Sequence, residues 1–404
     1  MIIQIAWKNI WRNRNRSLVV ISAMVVATVA VLFMMSFMWG MSEYRIKEAI
    51  ELETSHLQIH DSSFTESFEA KHIIDNPEQY AKLLTNDPRI KSFSRRVITN
   101  GIAQSSRSTT GVLIYGVNKE EEMTTSGLHK EMVEGEYMPD SRLFPAVIGK
   151  DLADKLKLEL KNKMVLQMQD IYGDIVPIRV KIVGIFETNN SRYDALSVFV
   201  PQDRLSELLK LEGGINEIAI LLNNPDDLNE VRTGLEVNAK NAIKTWKEIS
   251  PELALAIDSF DKAMIIMVII FFLAVALVII NIMLMAILER VRELGMLMAI
   301  GMNKLRVFFM VMFETVLLSL VGLPIGLLIG YLIIETTGKS GIDITELYGE
   351  GISEMGYNSI IYPTLPSEQY WVMAGQVMLI IFIAAIVPAR RALKLNPATA
   401  IRKI

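Results

Sequence analysis

Hydrophobic positions along this chain gather into four long runs, separated by stretches in which apolar and polar residues alternate over shorter periods. Residues 17–42, 263–288 and 369–389 contain no charged side chain. A further run, 315–334, extends back across Glu314 to about Val307. A helix needs about 20 apolar residues to cross roughly 30 Å of hydrocarbon, so the pattern predicts transmembrane helices at 17–42, 263–288, 307–334 and 369–389. The first run is too long for a signal-peptide core, and no small-residue cleavage site follows it, so it is expected to be retained.

The 220 residues from 43 to 262 follow different periods. Residues 56–60 (HLQIH) read as a strand with His56, Gln58 and His60 on one face, expected to be solvated. Asn76-Pro77-Glu78 then reads as a helix start, with Asn76 as N-cap and Pro77 in the first turn. A strand-rich stretch follows at 90–103. The pattern recurs later: a strand at 217–222, a helix opened by Asn224-Pro225, and a short strand at 243–246. Between these repeats, about 120–210 reads as an inserted subdomain. It holds strands at 164–169, 176–186 and 196–200, and a tight turn at 170–174 around Gly173. Glu120, Glu121 and Glu122 read as a solvated acidic loop. The predicted class is a membrane protein with four transmembrane α-helices plus a large α+β extracytoplasmic domain of two subdomains.

Charge sets the expected orientation. The first 16 residues carry Lys8, Arg12, Arg14 and Arg16 with no acid. Segment 289–306 has four bases against two acids, and the tail 390–404 has five bases and no acid. The 335–368 loop holds six acids and one lysine, and 43–262 is also acidic. The positive-inside rule therefore places both termini in the cytoplasm, and the acidic loop and the large domain outside. A multi-pass place in a cytoplasmic membrane is the expected location.

Composition excludes several chemistries. There is no cysteine, so disulfides and thiolate sites are absent, and acids outnumber bases 45 to 41, which disfavours nucleic acid as a partner. His56 and His60 lack a metal-site context. Gly338-Lys339-Ser340 resembles the end of a phosphate loop, but residue 333 is Ile where that loop needs Gly. No catalytic constellation is evident, and a non-enzymatic chain is expected.

Segment 288–317, LERVRELGMLMAIGMNKLRVFFMVMFETVL, resembles the strongest motif of MacB/FtsX-like ABC-transporter permeases. The start, AWKNIWRNR at 6–14, is similar to that family's amphipathic leading helix, with Ile3, Trp7, Ile10 and Trp11 on one face. The end, VPARRA at 387–392 with Asn396-Pro397, is similar to its tail. Length, Thr245-Trp246 and Asn281 look most like the lipoprotein-releasing LolC/LolE branch. The short turn at 170–174 departs from the long hook of the carrier-docking subunit of that branch. The resemblance implies a cytoplasmic coupling helix seated on an ABC ATPase dimer. It places Glu289, Arg290, Arg292, Glu293, Leu294, Gly295, Met298 and Gly301 in that contact. From the residues alone, Leu294, Leu297 and Met298 form an apolar face suited to a groove on a partner, and Gly295 and Gly301 read as breaks.

The resemblance also implies a second permease chain, ATP and Mg on the ATPase rather than on this chain, and an amphiphilic cargo such as a lipoprotein. Efflux with an adaptor, or FtsX-like signalling to a wall hydrolase, are the alternatives. Met34, Met38 and Met41 in span one, with Met264 and Met267 in span two, are expected to form a cargo wall, because thioethers adapt to varied apolar groups. Gly322, Gly326 and Gly330 recur every four residues and predict a close helix approach. Glu314 lies close to the cytoplasmic edge of its span, so snorkelling or pairing with an arginine is expected rather than a proton relay.

Overall fold

Long apolar runs give long helices, and these persist through Pro324 and Pro388, which lie inside two of them. In the computed structural model, which describes residues 7, 12, 14–139, 143–348 and 360–393, four helices are long and apolar enough to cross a membrane. They run Arg14–Glu48, Pro251–Glu289, Lys304–Ser340 and Ser367–Leu393, and are called spans one to four. Ile3, Ile10 and Trp11 of the leading helix, and Asn396-Pro397 of the tail, lie outside the described residues, whereas Trp7 is exposed. The chain divides into two compact units. One comprises Met1–Ser42, Asp258–Ile344 and Ile360–Ile404, and the other Glu43–Ile257 and Thr345–Ser359.

In the first unit the core is a column of Val, Ile, Leu, Met and Ala side chains from all four spans. Spans one and three meet along the glycine ladder. A Cβ built on Gly322 would lie 3.1 Å from Met24 Cβ, one on Gly326 would lie 2.7 Å from Thr28 Cβ, and one on Gly330 would lie 2.7 Å from Leu32 Cδ1. Without hydrophobic drive between helices in lipid, such close backbone approach is the main source of association. Thr28 is itself held, its hydroxyl donating to the Met24 carbonyl at 2.8 Å, so it has little freedom to give way. Gly326→Leu is therefore expected to push spans one and three apart and lower stability by about 1–3 kcal/mol. Gly330→Ala meets only the flexible end of Leu32 and is expected to cost less. Thermal unfolding of both variants in detergent gives the comparison, and equal behaviour would contradict it.

The second unit is a mixed sheet of ten strands with helices. The strands are β1 Leu57–Asp61, β2 Ile90–Gln104, β3 Thr109–Val117, β4 Met132–Gly135 and β5 Pro145–Gly149. They continue with β6 Lys163–Gln169, β7 Ile175–Phe186, β8 Ser197–Pro201, β9 Glu217–Leu222 and β10 Asn241–Thr245. The order runs β10-β1-β9-β2-β3-β8-β5-β7-β4, and β6 pairs with both β2 and β7. That double pairing closes β2, β3, β8, β5, β7 and β6 into a ring. The ring takes β2 and β3 from before residue 120, so the stretch 120–210 does not make a sheet of its own; the sheet is continuous through both halves.

β5 and β8 are buried on both faces, which is why they read as unbroken apolar runs. Ala146, Ile148, Val198 and Val200 face the main core, while Val147 and Phe199 face a second cluster with Phe186 and Tyr137.

Three local expectations are corrected. Asn76 adopts a left-handed conformation (φ 53°) and makes no side-chain cap; Pro77 in the first turn carries the helix start. Glu120–Glu122 lie on a short helix, Lys119–Thr125, capped by Asn118. Third, the face-sharing residues His56, Gln58 and His60 are buried rather than solvated. β1 lies between β9 and β10, and its polar face is covered as fully as its apolar one.

That covered face belongs to a buried polar chain. Gln58 Nε2 donates to the Thr54 carbonyl (2.8 Å), and its Oε1 meets His60 Nε2 at 2.8 Å. His60 Nε2 lies 3.8 Å from Glu217, which accepts from Arg96 Nη1 at 2.8 Å. Arg96 also forks onto Glu122, with Nε to Oε2 at 2.9 Å and Nη2 to Oε1 at 2.8 Å. Burial lowers the His60 pKa to about 3, so the ring is neutral, and burial raises that of Glu217.

Thr54 ends a π-helical turn, Ala49–Thr54, directly after the span-one helix. Such turns are rare, and they frequently occur at functional sites. A loop grips it. Asn189 Nδ2 donates to Glu48 Oε1 at 2.6 Å, Asn190 Nδ2 to Glu53 Oε1 at 2.9 Å, and Tyr193 Oη to the Leu52 carbonyl at 2.9 Å. Arg192, of the same short helix as Tyr193, donates to Glu252 Oε2 at 2.7 Å, in the first turn of the helix that becomes span two. Asp194 braces the loop by accepting from the Thr188 N–H and hydroxyl, and burial pushes its pKa up to about 7.

Candidate coupling site

Between spans two and three the chain turns at Arg290, whose backbone (φ −108°, ψ 13°) leaves the helical region. The turn sends the Arg290 side chain into the span bundle. Its Nη1 donates to both oxygens of Glu314 in span three, each at 2.8 Å. Its Nε donates to Glu293 Oε2 at 3.0 Å, and Arg12 Nη2 reaches the same oxygen at 2.7 Å. Four charges thus alternate, Arg12–Glu293–Arg290–Glu314, from the exposed start of span one to a buried point in span three. Arg290 and Glu314 are both buried, so each is the other's principal compensation. Glu314 therefore pairs with an arginine as expected, and that arginine is Arg290.

A short helix, Val291–Ala299, follows. It ends at Gly301, whose φ of +100° favours glycine, and Asn303 then caps span three by accepting from the Leu305 N–H. Gly301 is a break, as its residue type suggests. Gly295 is not: it is buried within the helix. The apolar face also points the other way from expectation. Leu294 is buried, and Leu297 and Met298 pack with it on the span core. What the helix leaves outward is Arg292, Met296, Ala299 and Ile300, the last 86% exposed. Glu289 is exposed beside them. Met296 and Ile300 were missed in the sequence. Their signal is the helical spacing 292, 296, 299, opposite to 294 and 298.

The methionines divide. Met35 is buried in the span core and Met264 packs against it, while Met34, Met38 and Met41 are half-buried and Met267 is exposed. Gly338-Lys339-Ser340 is the last turn of span three, where Lys339 pairs with Glu335 at 2.6 Å. Among the described residues no group of three His, Asp or Glu is placed to hold a metal ion.

Four apolar helices, a mixed α/β domain inserted between the first and second, and a charge-anchored short helix between the second and third define a multi-pass membrane permease. Residues 17–237 match the MacB-like periplasmic core domain, and residues 265–397 match the FtsX-like permease C-terminal domain. The chain belongs to the MacB/FtsX-like family of ABC-transporter permeases.

An uncharacterized ABC transporter permease of Methanocaldococcus jannaschii is 23% identical over 99% of this chain and 97% of its own length. A macrolide export ATP-binding/permease protein MacB of a Shewanella species is 23% identical over 68% of this chain, and the match covers 41% of that protein. The MacB of Salmonella typhi is 20% identical over 80% of this chain and 51% of its own length. The chain thus spans about half the length of these MacB relatives. Among solved structures, the periplasmic region of MacB from Actinobacillus actinomycetemcomitans covers 52% of the chain at 12% identity, with a TM-score of 0.36.

Proposed function

We propose that this chain couples a separate ABC ATPase dimer to its α/β domain, which acts on an amphiphilic cargo at the outer side of the membrane. The observation that carries this is the short helix Val291–Ala299. Its inner face is bolted to the spans by Leu294 and by the Arg290–Glu314 pair, and its outer face offers Arg292, Met296 and Ile300. An exposed apolar knob flanked by a cation suits a groove on a soluble partner. Within the α/β domain, the segment 188–194 holds both the π-turn after span one and the helix start before span two. Under this reading, movement of spans one and two reaches the domain through the chain that this segment holds. Two ATPase subunits call for two permease chains, identical or not. Both termini lie in the cytoplasm under this reading, ATP and Mg stay on the partner, and this chain has no catalytic role of its own.

The proposed cargo is a lipoprotein, with Met34, Met38, Met41, Met264 and Met267 offering apolar contact near the outer mouth of spans one and two. Export of a small amphiphile with an adaptor is the second reading, supported by the relatives named as macrolide exporters. Ile300→Asp tests the coupling. Its side chain is almost wholly exposed, so folding is expected to survive, while a carboxylate in an apolar groove lowers ATPase retention at least about tenfold. Co-purification with the ATPase reads this directly. Retention equal to wild type in Ile300→Asp, and again in Arg292→Glu, overturns the docking face.

A further inference from the structure

Beside the coupling helix, spans one and two leave an open groove of about 780 Å³. Its wall is apolar: Val19 and Met285 are each about three-fifths exposed, with Val20 and Ile282 behind them. Its rim is charged. Arg12, Arg290 and Glu293 line it, but they are already engaged with one another and with Glu314. Arg14, Asn15 and Glu289 line it as well. Among the described residues, neither Arg14 nor Glu289 has an ion-pair partner.

The wall belongs to two membrane spans, so its occupant is a lipid or a protein. The rim selects between them. One opening presents a guanidinium and an amide as donors, together with one carboxylate as acceptor. A headgroup carrying both a phosphodiester and a primary ammonium satisfies all three, and its acyl chain continues along Val19 and Met285. A purely anionic headgroup would bring its charge close to Glu289 and leave that carboxylate unpaired. We propose that this groove is a binding site for one phosphatidylethanolamine molecule, in the leaflet at the end of the spans where Arg14 and Glu289 lie. Arg14 and Asn15 hold the phosphate, and Glu289 accepts hydrogen bonds from the ammonium. Basic pockets between membrane helices commonly take lipid headgroups in this way, and the extra acid gives this one a preference.

The site ties a lipid to the first residues of span one and to the last residue of span two, next to the charge chain that fixes the coupling helix. A bound headgroup thus acts as a wedge that sets the spacing of these two helix ends.

The test uses the full chain in detergent, exposed to equal amounts of dioleoyl phosphatidylethanolamine, phosphatidylglycerol and phosphatidylcholine, with bound lipid read by native mass spectrometry. No ATPase or cargo enters the measurement, so its outcome is independent of the coupling proposal. Wild type is expected to retain one phosphatidylethanolamine in preference to the other two. Arg14→Gln is expected to lower retention of all three about tenfold, the loss of one charge-assisted phosphate contact, while Arg14→Lys keeps most of it. Glu289→Gln is expected to erase the preference for phosphatidylethanolamine over phosphatidylglycerol without abolishing binding. Equal retention of the three lipids by wild type overturns the proposal, as does a preference for phosphatidylglycerol or indifference to both Arg14→Gln and Glu289→Gln. Unfolding midpoints of the variants confirm that each is folded when measured.

Discussion

Arg290→Ala is expected to destabilise the spans more than any exposed charge change in the chain, by about 3–5 kcal/mol. The guanidinium meets both oxygens of Glu314 at 2.8 Å, and both side chains are buried. Removing it takes away the guanidinium that meets both oxygens of a buried carboxylate and one of the two arginine contacts of Glu293, so the short helix loses part of its anchoring. Glu314→Gln is expected to cost less, because an amide oxygen still accepts from Nη1. Arg290→Met combined with Glu314→Leu restores apolar packing and is expected to recover most of the stability, as apolar replacements of buried ion pairs often do. It is not expected to recover ATPase coupling, because the helix Val291–Ala299 is then no longer tied by charge. Unfolding midpoints of the four proteins in detergent, beside ATPase stimulation in the assembled complex, separate the two effects. A double variant less stable than Arg290→Ala contradicts the account, and so does a wild-type midpoint for Arg290→Ala.

Arg96→Met is expected to be the most damaging single change in the α/β domain. Arg96 is fully enclosed and answers two carboxylates, Glu122 and Glu217, by three hydrogen bonds of 2.8–2.9 Å. Its loss leaves both acids buried without a cation. The expected cost, again about 3–5 kcal/mol, is a large part of the 5–15 kcal/mol that holds a typical domain together. The defect carries a pH signature. Burial already raises the Glu217 pKa above its usual 4.5, and without Arg96 that rise grows. A carboxyl with a raised folded-state pKa binds its proton more tightly when folded, so its contribution to stability is present in acid and is lost as pH climbs through the raised value. Arg96→Met is therefore expected to be closer to wild type at pH 5 than at pH 8. Protease resistance of the domain in the full chain, measured at both pH values, gives the answer, and a deficit that grows on acidification refutes it.

The parts of this structure legible in the sequence are those set by composition within a short window. The spans follow from charge-free runs, and β5 and β8 from short apolar runs. The 170–174 turn follows from Gly173, which sits at φ +87°. The parts that were not legible depend on distant partners. A period-two pattern shows that His56, Gln58 and His60 share a face, but Asn216, Glu217 and Leu222, which meet the two histidines, lie far along the chain. Glu122 looked like surface because Arg96 stands on another element, and nothing local marks the two as partners. Between spans two and three, the motif drew attention to the segment that holds the Arg290–Glu293 and Arg290–Glu314 contacts. It gave the wrong face, because an apolar stripe of Leu294, Leu297 and Met298 suits a partner's groove and the chain's own core equally well. Only the neighbouring spans decide between them.

The place of β1 has a consequence for how the protein is made. The strand is complete at Asp61, but its two neighbours begin at Glu217 and Asn241. At about 5–20 residues per second, a growing chain leaves β1 with both edges bare for roughly ten to thirty seconds. An apolar strand waiting that long invites pairing with other chains. Here every second residue around β1 is His56, Gln58 or His60, and these polar side chains keep the waiting strand soluble. The same residues that fill the buried polar chain of the finished domain therefore serve first as protection during synthesis.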